Sequence, residues 1–191
     1  NMNHIPVVTI DGPGSAGKGT IAKMLCLDLN WHILDSGALY RTLAFILEEK
    51  KLDLANFSSQ KENIKKEFNV SFNLGEIGEP VKVILQGKDI TNKVRTEKIA
   101  LKSSIIATSS EVREFIRPCQ RDFLESPGLI ADGRDMGTVI FPDADLKIFL
   151  TASIQERAKR RQSQLKSQGS RVNMRILLKE LKARDKKDMD R

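Results

Sequence analysis

Near the start of the chain, residues 10–20 read IDGPGSAGKGT, and the fold is best inferred from this stretch. Gly12 to Lys18 fits the pattern G-x-x-x-x-G-K, in which backbone N–H groups and a helix N-terminus point at phosphate oxygens and the lysine reaches the β- and γ-phosphates. A short apolar run at 5–10 precedes the loop. Residues 18–29 follow it with helical spacing, with Ile21, Leu25 and Leu29 on one face. The sequence therefore predicts a strand, a phosphate-binding loop and a helix.

The loop departs from the general pattern at one position. Gly19 stands where a Ser or Thr usually follows the lysine, and the hydroxyl comes one residue later, at Thr20. This GKGT variant favours small-molecule phosphotransferases over GTPases. A GTPase also needs an Asn-Lys-x-Asp base reader, and the Asn-Lys in NKVR (92–95) lacks the aspartate.

Strand and helix patterns alternate along the rest of the chain. Residues 31–34 are typical of a short strand, and GLIADG (128–133) and LKIFLTA (146–152) are typical of short apolar strands that end in polar residues. Helices are predicted at 38–49, at 61–68, twice between 96 and 124 with a break near Ser109 and Ser110, and from Ser153 onward with a break near SQGSRVN (167–173). Such alternation predicts a parallel sheet covered on both faces.

Residues 69–94 differ, because their alternation and turns are typical of antiparallel strands. We therefore predict an α/β P-loop fold of three layers, with a parallel central sheet covered by helices on both faces and a small antiparallel β insert at 69–94.

The net charge of +7 is concentrated at one end of the chain. Residues 155–191 carry 13 Lys and Arg against 5 Asp and Glu, whereas the other 154 residues carry 19 against 20. Such a block suits a solvated helical face or a polyanionic partner. A nucleic-acid-binding protein with a vestigial loop is one alternative. It would need aromatic stacking platforms, and residues 155–191 contain no aromatic residue.

Composition excludes several other classes of protein. No apolar run approaches the roughly 20 residues that cross a membrane, and Asn1–Pro6 lacks the features of a signal peptide. Two cysteines make no disulfide framework, and Cys26 is predicted to be a small buried hydrophobe. With two histidines in the chain, a histidine-built zinc site or a Ser/His/Asp triad is not expected. We expect a cytoplasmic monomer without membrane or nucleic-acid partners.

Four further stretches carry a family resemblance: LDSGALYR (34–41), IADGRDMGTVIFPDADLKIFLTAS (130–153), ERAKRRQSQL (156–165) and KARDKKDMDR (182–191). With the loop, they resemble the bacterial cytidylate kinases, in order and over essentially all of residues 6–191. The resemblance implies transfer of the γ-phosphoryl group of MgATP to CMP or dCMP. It also implies that 69–94 is a nucleoside-monophosphate-binding lobe and that 154–190 form a helical lid, with 1–68 and 95–153 as the P-loop core. The family normally continues with a last strand and helix and an adenine-holding loop, which are absent from this chain.

The resemblance also implies roles for individual residues. The implied ATP-binding residues are Gly12, Pro13, Gly14, Ser15, Ala16, Gly17, Lys18, Gly19 and Thr20. The implied catalytic residues are Lys18, Asp132, Arg134 and the lid arginines Arg157, Arg160 and Arg161. The implied CMP-binding residues are Arg41, Arg134 and Arg191 for the phosphate, Ser104, Arg113 and Asp135 for cytosine, Arg184 and Asp188 for the pentose, and Ser36 close to the phosphate. Mg²⁺ is expected with ATP, held through Thr20, Asp132 and waters, although no direct ligand is assigned.

These residue types suit phosphoryl transfer. An arginine fork binds two phosphate oxygens and stays charged, and a donor at Arg113 with an acceptor at Asp135 discriminates cytosine from uracil. Alternatives stay open at this point. The chain also fits a kinase for UMP, AMP or a non-nucleotide hydroxyl. Asp35 fits a helix cap as well as a functional group, and the lid arginines fit a solvated face. Arg95 is interpreted as an exposed structural residue.

Overall fold

The structure, a computed structural model, describes residues 4–190. The strands in this range are Val7–Asp11 (β1), His32–Asp35 (β2), Val70–Asn73 (β3), Lys82–Leu85 (β4), Lys88–Asp89 (β5), Leu129–Gly133 (β6) and Leu146–Phe149 (β7). The helices are Lys18–Leu29 (α1), Ser36–Glu49 (α2), Leu54–Glu67 (α3), Thr91–Val94 (α4), Glu97–Ile106 (α5), Ser110–Arg121 (α6), Ile154–Ser167 (α7) and Met174–Met189 (α8), with a π-helical turn at Met136–Ile140. None of the helices within 4–190 combines the length and the apolar composition needed to cross a membrane.

The central sheet has four parallel strands in the order β2-β6-β1-β7. Its two faces pack against different helices. Leu129 and Ala131 of β6 belong to a core cluster with residues of α2, α5 and α6, whereas Ile130 belongs to a second cluster with Ala22 and Cys26 of α1. Neighbouring residues of one strand thus face opposite layers. The predicted three-layer α/β fold is confirmed.

Helix α1 has the predicted bounds, but the apolar face that the spacing marks is not the buried one. Ile21 and Leu29 are exposed, and the buried positions include Ala22 and Cys26. Small side chains at these two positions let the helix backbone lie close to the sheet, which leaves the larger apolar residues outside. The prediction that Cys26 is a buried hydrophobe is confirmed.

Helix α3 begins earlier than the sequence predicts, at Leu54 instead of residue 61. The Asp53 side chain accepts a hydrogen bond from the Asn56 backbone N–H, and the Asn56 side chain accepts one from the Asp53 N–H. This reciprocal capping box satisfies two backbone donors at the start of a helix. It therefore sets the N-terminus a full two turns before the charged run.

Residues 69–94 contain the predicted antiparallel strands, in the order β3-β4-β5. Two side chains of the core hold this insert. The buried Lys23 of α1 donates from Nζ to the carbonyl oxygens of Glu76 and Glu79, and Arg95 donates from Nη2 to the carbonyl oxygen of Val81 at 3.0 Å. The insert is therefore attached to the core through its backbone. Arg95 is half-buried, which corrects its interpretation as an exposed residue.

Helices α7 and α8 form a hairpin whose break lies where the sequence predicts it. Leu165 of α7 and Leu177 and Leu181 of α8 are buried, so the hairpin has an apolar interior. Its basic side chains are distributed around this interior. One of them, Arg157, is itself buried, with 3% of its surface exposed.

Candidate active site

The carboxyl ends of the parallel strands meet at one edge of the sheet, and the phosphate-binding loop leaves β1 there. The register pairs Asp132 of β6 with Asp35 of β2, and Asp11 of β1 pairs with Gly133, so acidic residues of three strands lie at this edge. Ligands of open α/β sheets bind outside the carboxyl ends of the strands. The candidate site therefore lies at this edge of the sheet.

The loop has the backbone geometry that its glycines allow. Gly17 has a φ of 97°, in the left-handed region, and Lys18 begins α1 directly after it. A Cβ at Gly12 would overlap the backbone carbonyl of Leu150, just after β7. Lys18 donates from Nζ to the carbonyl oxygen of Pro13 at 2.9 Å, so its ammonium group lies over the loop.

Three arginines surround the loop. A Cβ at Gly17 would lie 2.8 Å from Nη1 of Arg160, and one at Gly14 would lie 3.3 Å from Nη2 of Arg134. Arg157 donates from Nε to the Gly14 carbonyl oxygen at 2.7 Å. The loop thus lies among positive charges from the end of β6 and from α7, an arrangement that attracts a polyphosphate.

The charged groups at the sheet edge perturb one another. Burial, followed by the charge of Arg134, lowers the pKa of Lys18 to about 8. Burial, followed by the charge of Asp35, raises the pKa of Asp132 far above its ordinary value. Oδ2 of Asp132 is also buried without a hydrogen-bond partner. Strongly perturbed groups of this kind concentrate at functional sites.

Beside the loop, a cavity is lined by residues of α2, α5, α8 and the end of β6. It brings together seven of the predicted CMP-binding residues: Ser36, Arg41, Ser104, Arg134, Asp135, Arg184 and Asp188. A second cavity of about 320 Å³ shares Arg134, Asp135 and Asp188 with the first and adds the predicted Arg113. Arg191 lies outside the described residues. Residues 69–94 are all described, and none of them lines either cavity.

Ion pairs and hydrogen bonds hold the arginines of these cavities. Arg134 donates from Nε to Asp188 at 2.8 Å, and Arg113 donates from Nη1 to the carbonyl oxygens of Ala107 and Thr108 at 3.0 and 2.9 Å. Both guanidinium groups are therefore oriented before any ligand binds.

Asp35 caps a helix, as one of its two interpretations predicts, and it also lies near an arginine of the cavity. Its carboxylate caps α2 by accepting from the Ala38 N–H at 3.0 Å, and it also lies 3.8 Å from the guanidinium of Arg41. Asp35 therefore begins the helix and orients an arginine of the cavity at once.

The three predicted lid arginines do not act as one group. Arg157 is buried and makes two hydrogen bonds to Asp185, at 2.8 and 2.6 Å. Arg160 is exposed beside Gly17. Arg161 forms an ion pair with Glu97 of α5. A solvated face describes Arg160, but not the other two.

The chain is similar to known proteins over nearly its whole length. A family model described as cytidylate kinase matches residues 8–191. The cytidylate kinase of Pseudomonas putida strain W619 is 50% identical over 189 residues, which cover 99% of this chain and 82% of the relative. This chain belongs to the cytidylate kinase family. The predicted family, enzyme class and function of a cytidylate kinase, which phosphorylates CMP or dCMP with ATP, are thereby confirmed.

Other relatives fall in the same range. The cytidylate kinase of Pseudomonas aeruginosa strain LESB58 is 47% identical over 187 residues, covering 98% of this chain and 81% of the relative. A crystal structure of TT1252 from Thermus thermophilus aligns with 96% of this chain and 80% of that one, at 17% identity and a TM-score of 0.43. That structural similarity is too weak to add to the description of the fold.

This cytidylate kinase site contains residues that the sequence analysis did not single out. Asp11 accepts hydrogen bonds from the backbone N–H groups of Met136 and Gly137, at 2.8 and 2.9 Å, and so anchors the turn after β6. Gln120 is buried and accepts from the Ser36 hydroxyl at 2.8 Å. Further unpredicted residues include the acidic partners Glu97 and Asp185 and the cavity-lining Tyr40 and Arg117. Asp11 lies within the quoted loop stretch, whereas no local pattern marks the others.

The residues present fit the Mg²⁺ that accompanies ATP. Within residues 4–190 no group of three or more His, Cys, Asp or Glu side chains is arranged as a metal site. Mg²⁺ in phosphoryl-transfer sites takes few protein ligands and keeps several waters, so such a group is not required. The unpartnered Oδ2 of Asp132 is the kind of oxygen that binds the ion or its waters, and Thr20 lies exposed in the first turn of α1.

Proposed function

We propose that this chain transfers the γ-phosphoryl group of MgATP to CMP or dCMP, forming ADP and CDP or dCDP at the site described above. The observation that carries the proposal is the position of Arg134. Its guanidinium lies beside Gly14 of the phosphate-binding loop and also lines both cavities. One charge therefore borders the sites of both substrates, as direct transfer between two phosphates requires.

The donor side is formed by Gly12 to Thr20. Lys18 exchanges the Pro13 carbonyl for the β- and γ-phosphates, and the N-terminus of α1 adds its positive end. Arg160 lies beside Gly17 of this loop. Arg157 supports the loop through Gly14 and acts on the phosphates through it.

The acceptor side is formed by the two adjoining cavities. Arg41 and Arg134 hold the phosphate, with Ser36 beside them. Ser104, Arg113 and Asp135 bind cytosine, and Arg184 and Asp188 bind the pentose. Arg191 completes the set by resemblance.

The transfer itself needs positioning more than proton chemistry. An oxygen of the CMP phosphate attacks the γ-phosphorus and forms a new P–O bond, while the bond to the β–γ bridging oxygen breaks and its electron pair leaves on ADP. The second pKa of such a phosphate lies near about 6, so its oxygen is largely ionised at neutral pH and no general base is needed. The arginines and Lys18 stabilise the charge that spreads over the transferred group.

Mg²⁺, when bound with ATP, neutralises phosphate charge and orients the β- and γ-phosphates. Asp132 would hold it, directly or through waters, with Thr20 as a second contact. Asp132 has no hydrogen-bond partner at Oδ2, which supports this role.

We propose further that residues 154–190 act as a lid and that 69–94 act as the monophosphate lobe, both closing over the nucleotides and excluding water. The hairpin of α7 and α8 supports the first role, since its arginines already contact the loop. Solution scattering with and without a bisubstrate analogue tests the closure. Equal compactness in the two states would count against it.

We also propose that the protein works in the cytoplasm as a monomer, without nucleic-acid partners. The free thiols of Cys26 and Cys119 suit a reducing compartment. Light scattering coupled to size exclusion tests the monomer, and a fluorescence anisotropy titration with a labelled oligonucleotide tests nucleic-acid binding.

The deciding experiment is an ADP-release assay with MgATP against CMP, dCMP, UMP and AMP. We expect turnover to be led by CMP or dCMP. Preference for UMP or AMP would reassign the acceptor, and a lack of acceptor-dependent turnover would overturn the proposed function for this chain.

A further inference from the structure

Glu97, in the first turn of α5, contacts two arginines of the α7–α8 hairpin through its two carboxylate oxygens. Oε1 accepts from Nε of Arg161 at 2.7 Å and also from Nη2 of the same side chain. Oε2 accepts from Nη2 of Arg184 at 3.1 Å. The side chains are 21%, 14% and 18% exposed for Glu97, Arg161 and Arg184, so all three are mostly removed from solvent.

The three residues belong to three different elements. Arg161 projects from α7, Arg184 from α8 and Glu97 from α5. Helix α5 also lines the first cavity through Ser103 and Ser104, and Arg184 lines the same cavity from the opposite element. A single carboxylate thus joins both lid helices to the helix that forms the acceptor cavity.

The two arginines need this carboxylate. Burial lowers the pKa of Arg184, the charge of Glu97 acts to raise it, and the charge of Arg161 lowers it again. Nε of Arg184 is buried without a hydrogen-bond partner, and Nη2 donates to Glu97. Without the negative charge, two guanidinium groups would repel each other in a poorly solvated place.

A second carboxylate lies close by but does not replace the first. Glu180 of α8 has Oε2 buried without a partner, and burial, followed by the charge of Glu97, raises the pKa of Glu180. The carboxylate that contacts Arg161 and Arg184 directly is that of Glu97.

We propose that Glu97 is a positioning residue for the acceptor nucleotide: it holds Arg184 in the cavity and, through Arg161, ties the lid to α5. This inference rests on the proposed function. Glu97 itself touches neither the loop nor the reacting atoms. Its effect is exerted through Arg184, at the pentose of the acceptor, and through the lid helix that carries Arg161.

The test removes the charge of the Glu97 side chain and keeps its shape. Glu97→Gln is expected to raise KM and the calorimetric Kd for CMP by about tenfold, because one charge-assisted hydrogen bond is lost. KM for MgATP is expected to change by less than about threefold. Glu97→Asp, which keeps the charge, is expected to recover part of the loss. The matched control is Glu156→Gln, an exposed glutamate in the first turn of α7, which should leave both constants unchanged.

A double-mutant comparison separates positioning from a general structural effect. If Glu97 acts on CMP through Arg184, then Glu97→Gln adds little to the CMP affinity already lost in Arg184→Gln. Additive losses would overturn the inference, as would an unchanged Kd for CMP in Glu97→Gln. A parallel loss of affinity for CMP and MgATP together with a lowered Tm would reduce Glu97 to a structural role.

The failure of this inference and that of the proposed function are distinguishable. Wild-type protein that binds and phosphorylates CMP upholds the function, whatever Glu97→Gln does. Wild-type protein that neither binds nor phosphorylates CMP overturns both.

Discussion

The pairing of Arg157 with Asp185 makes a quantitative prediction about stability. Arg157 is 3% exposed and has three hydrogen bonds: two to Asp185 and one to the Gly14 carbonyl oxygen. Asp185→Asn keeps the size of the side chain, removes its charge and places an amide donor where the second carboxylate oxygen accepts now. The guanidinium would then be buried with no countercharge in contact.

The expected cost follows from the burial of the two partners. Breaking a fully buried ion pair costs about 3–5 kcal/mol, because the remaining charge is left uncompensated. The Asp185 side chain is 30% exposed, so solvent partly screens the remaining charge. We therefore expect a loss of about 2 kcal/mol in unfolding free energy. For a chain of this length that corresponds to a Tm lower by about 4–8 °C.

Urea unfolding at neutral pH, with Tm from calorimetry, measures the change. The matched control is Glu67→Gln, which breaks the exposed pair between Lys50 and Glu67, 3.0 Å apart, and should cost no more than about 0.5 kcal/mol. Equal unfolding free energies for the two variants would refute the reasoning from burial. Because Arg157 supports Gly14, Asp185→Asn should also raise KM for MgATP more than KM for CMP.

Three further predictions concern the sheet edge and the core. Burial raises the pKa of Asp132 from 3.8 to about 8, so between these pH values the folded chain keeps a proton that the unfolded chain releases. The unfolding free energy of the magnesium-free protein should therefore fall as the pH rises through this range. The fall should be smaller in Asp132→Asn. Equal slopes of the two proteins in urea titrations across this pH range would contradict that. Asp135→Asn should lower the preference for CMP over UMP by about tenfold in the ADP-release assay, and unchanged selectivity would remove Asp135 as a base reader. A Cβ at Gly128 would overlap the ring of Trp31, the one tryptophan of the chain. Gly128→Ala should therefore lower the unfolding free energy by about 1–3 kcal/mol and shift the fluorescence emission. An unshifted spectrum would show that the added methyl group fits without moving the ring.

The features that the sequence predicted correctly are local ones. The loop pattern from Gly12 to Lys18 needs a strand before it and a helix after it, and both are present. The alternation at 69–94 marked the antiparallel strands, and SQGSRVN marked the break between α7 and α8. Each of these signals arises from residues that are close in sequence, where backbone preferences act directly. The start of α3 was missed although Asp53 and Asn56 have the spacing of a capping box.

The residues that orient the site could not be found in this way. Glu97 meets Arg161 and Arg184 across 64 and 87 positions of sequence, and Gln120 meets Ser36 across 84. Such pairs depend on how helices pack, and a basic stretch with scattered acidic residues does not indicate which charges meet. The resemblance names the arginines of the candidate site and also Asp188, the partner of Arg134, but it does not name Glu97 or Asp185.

The attachment of the insert to α1 has a practical consequence for spectroscopy. Lys23 contacts carbonyl oxygens of the loop between β3 and β4, so side chains of that loop are free to vary while the main chain stays held. Ile77, at 91% exposure, is such a position. The native thiols compete poorly for a maleimide, because burial raises the pKa of both Cys26 and Cys119. A dye placed through Ile77→Cys would therefore report on the movement of the insert during turnover without loosening its anchor.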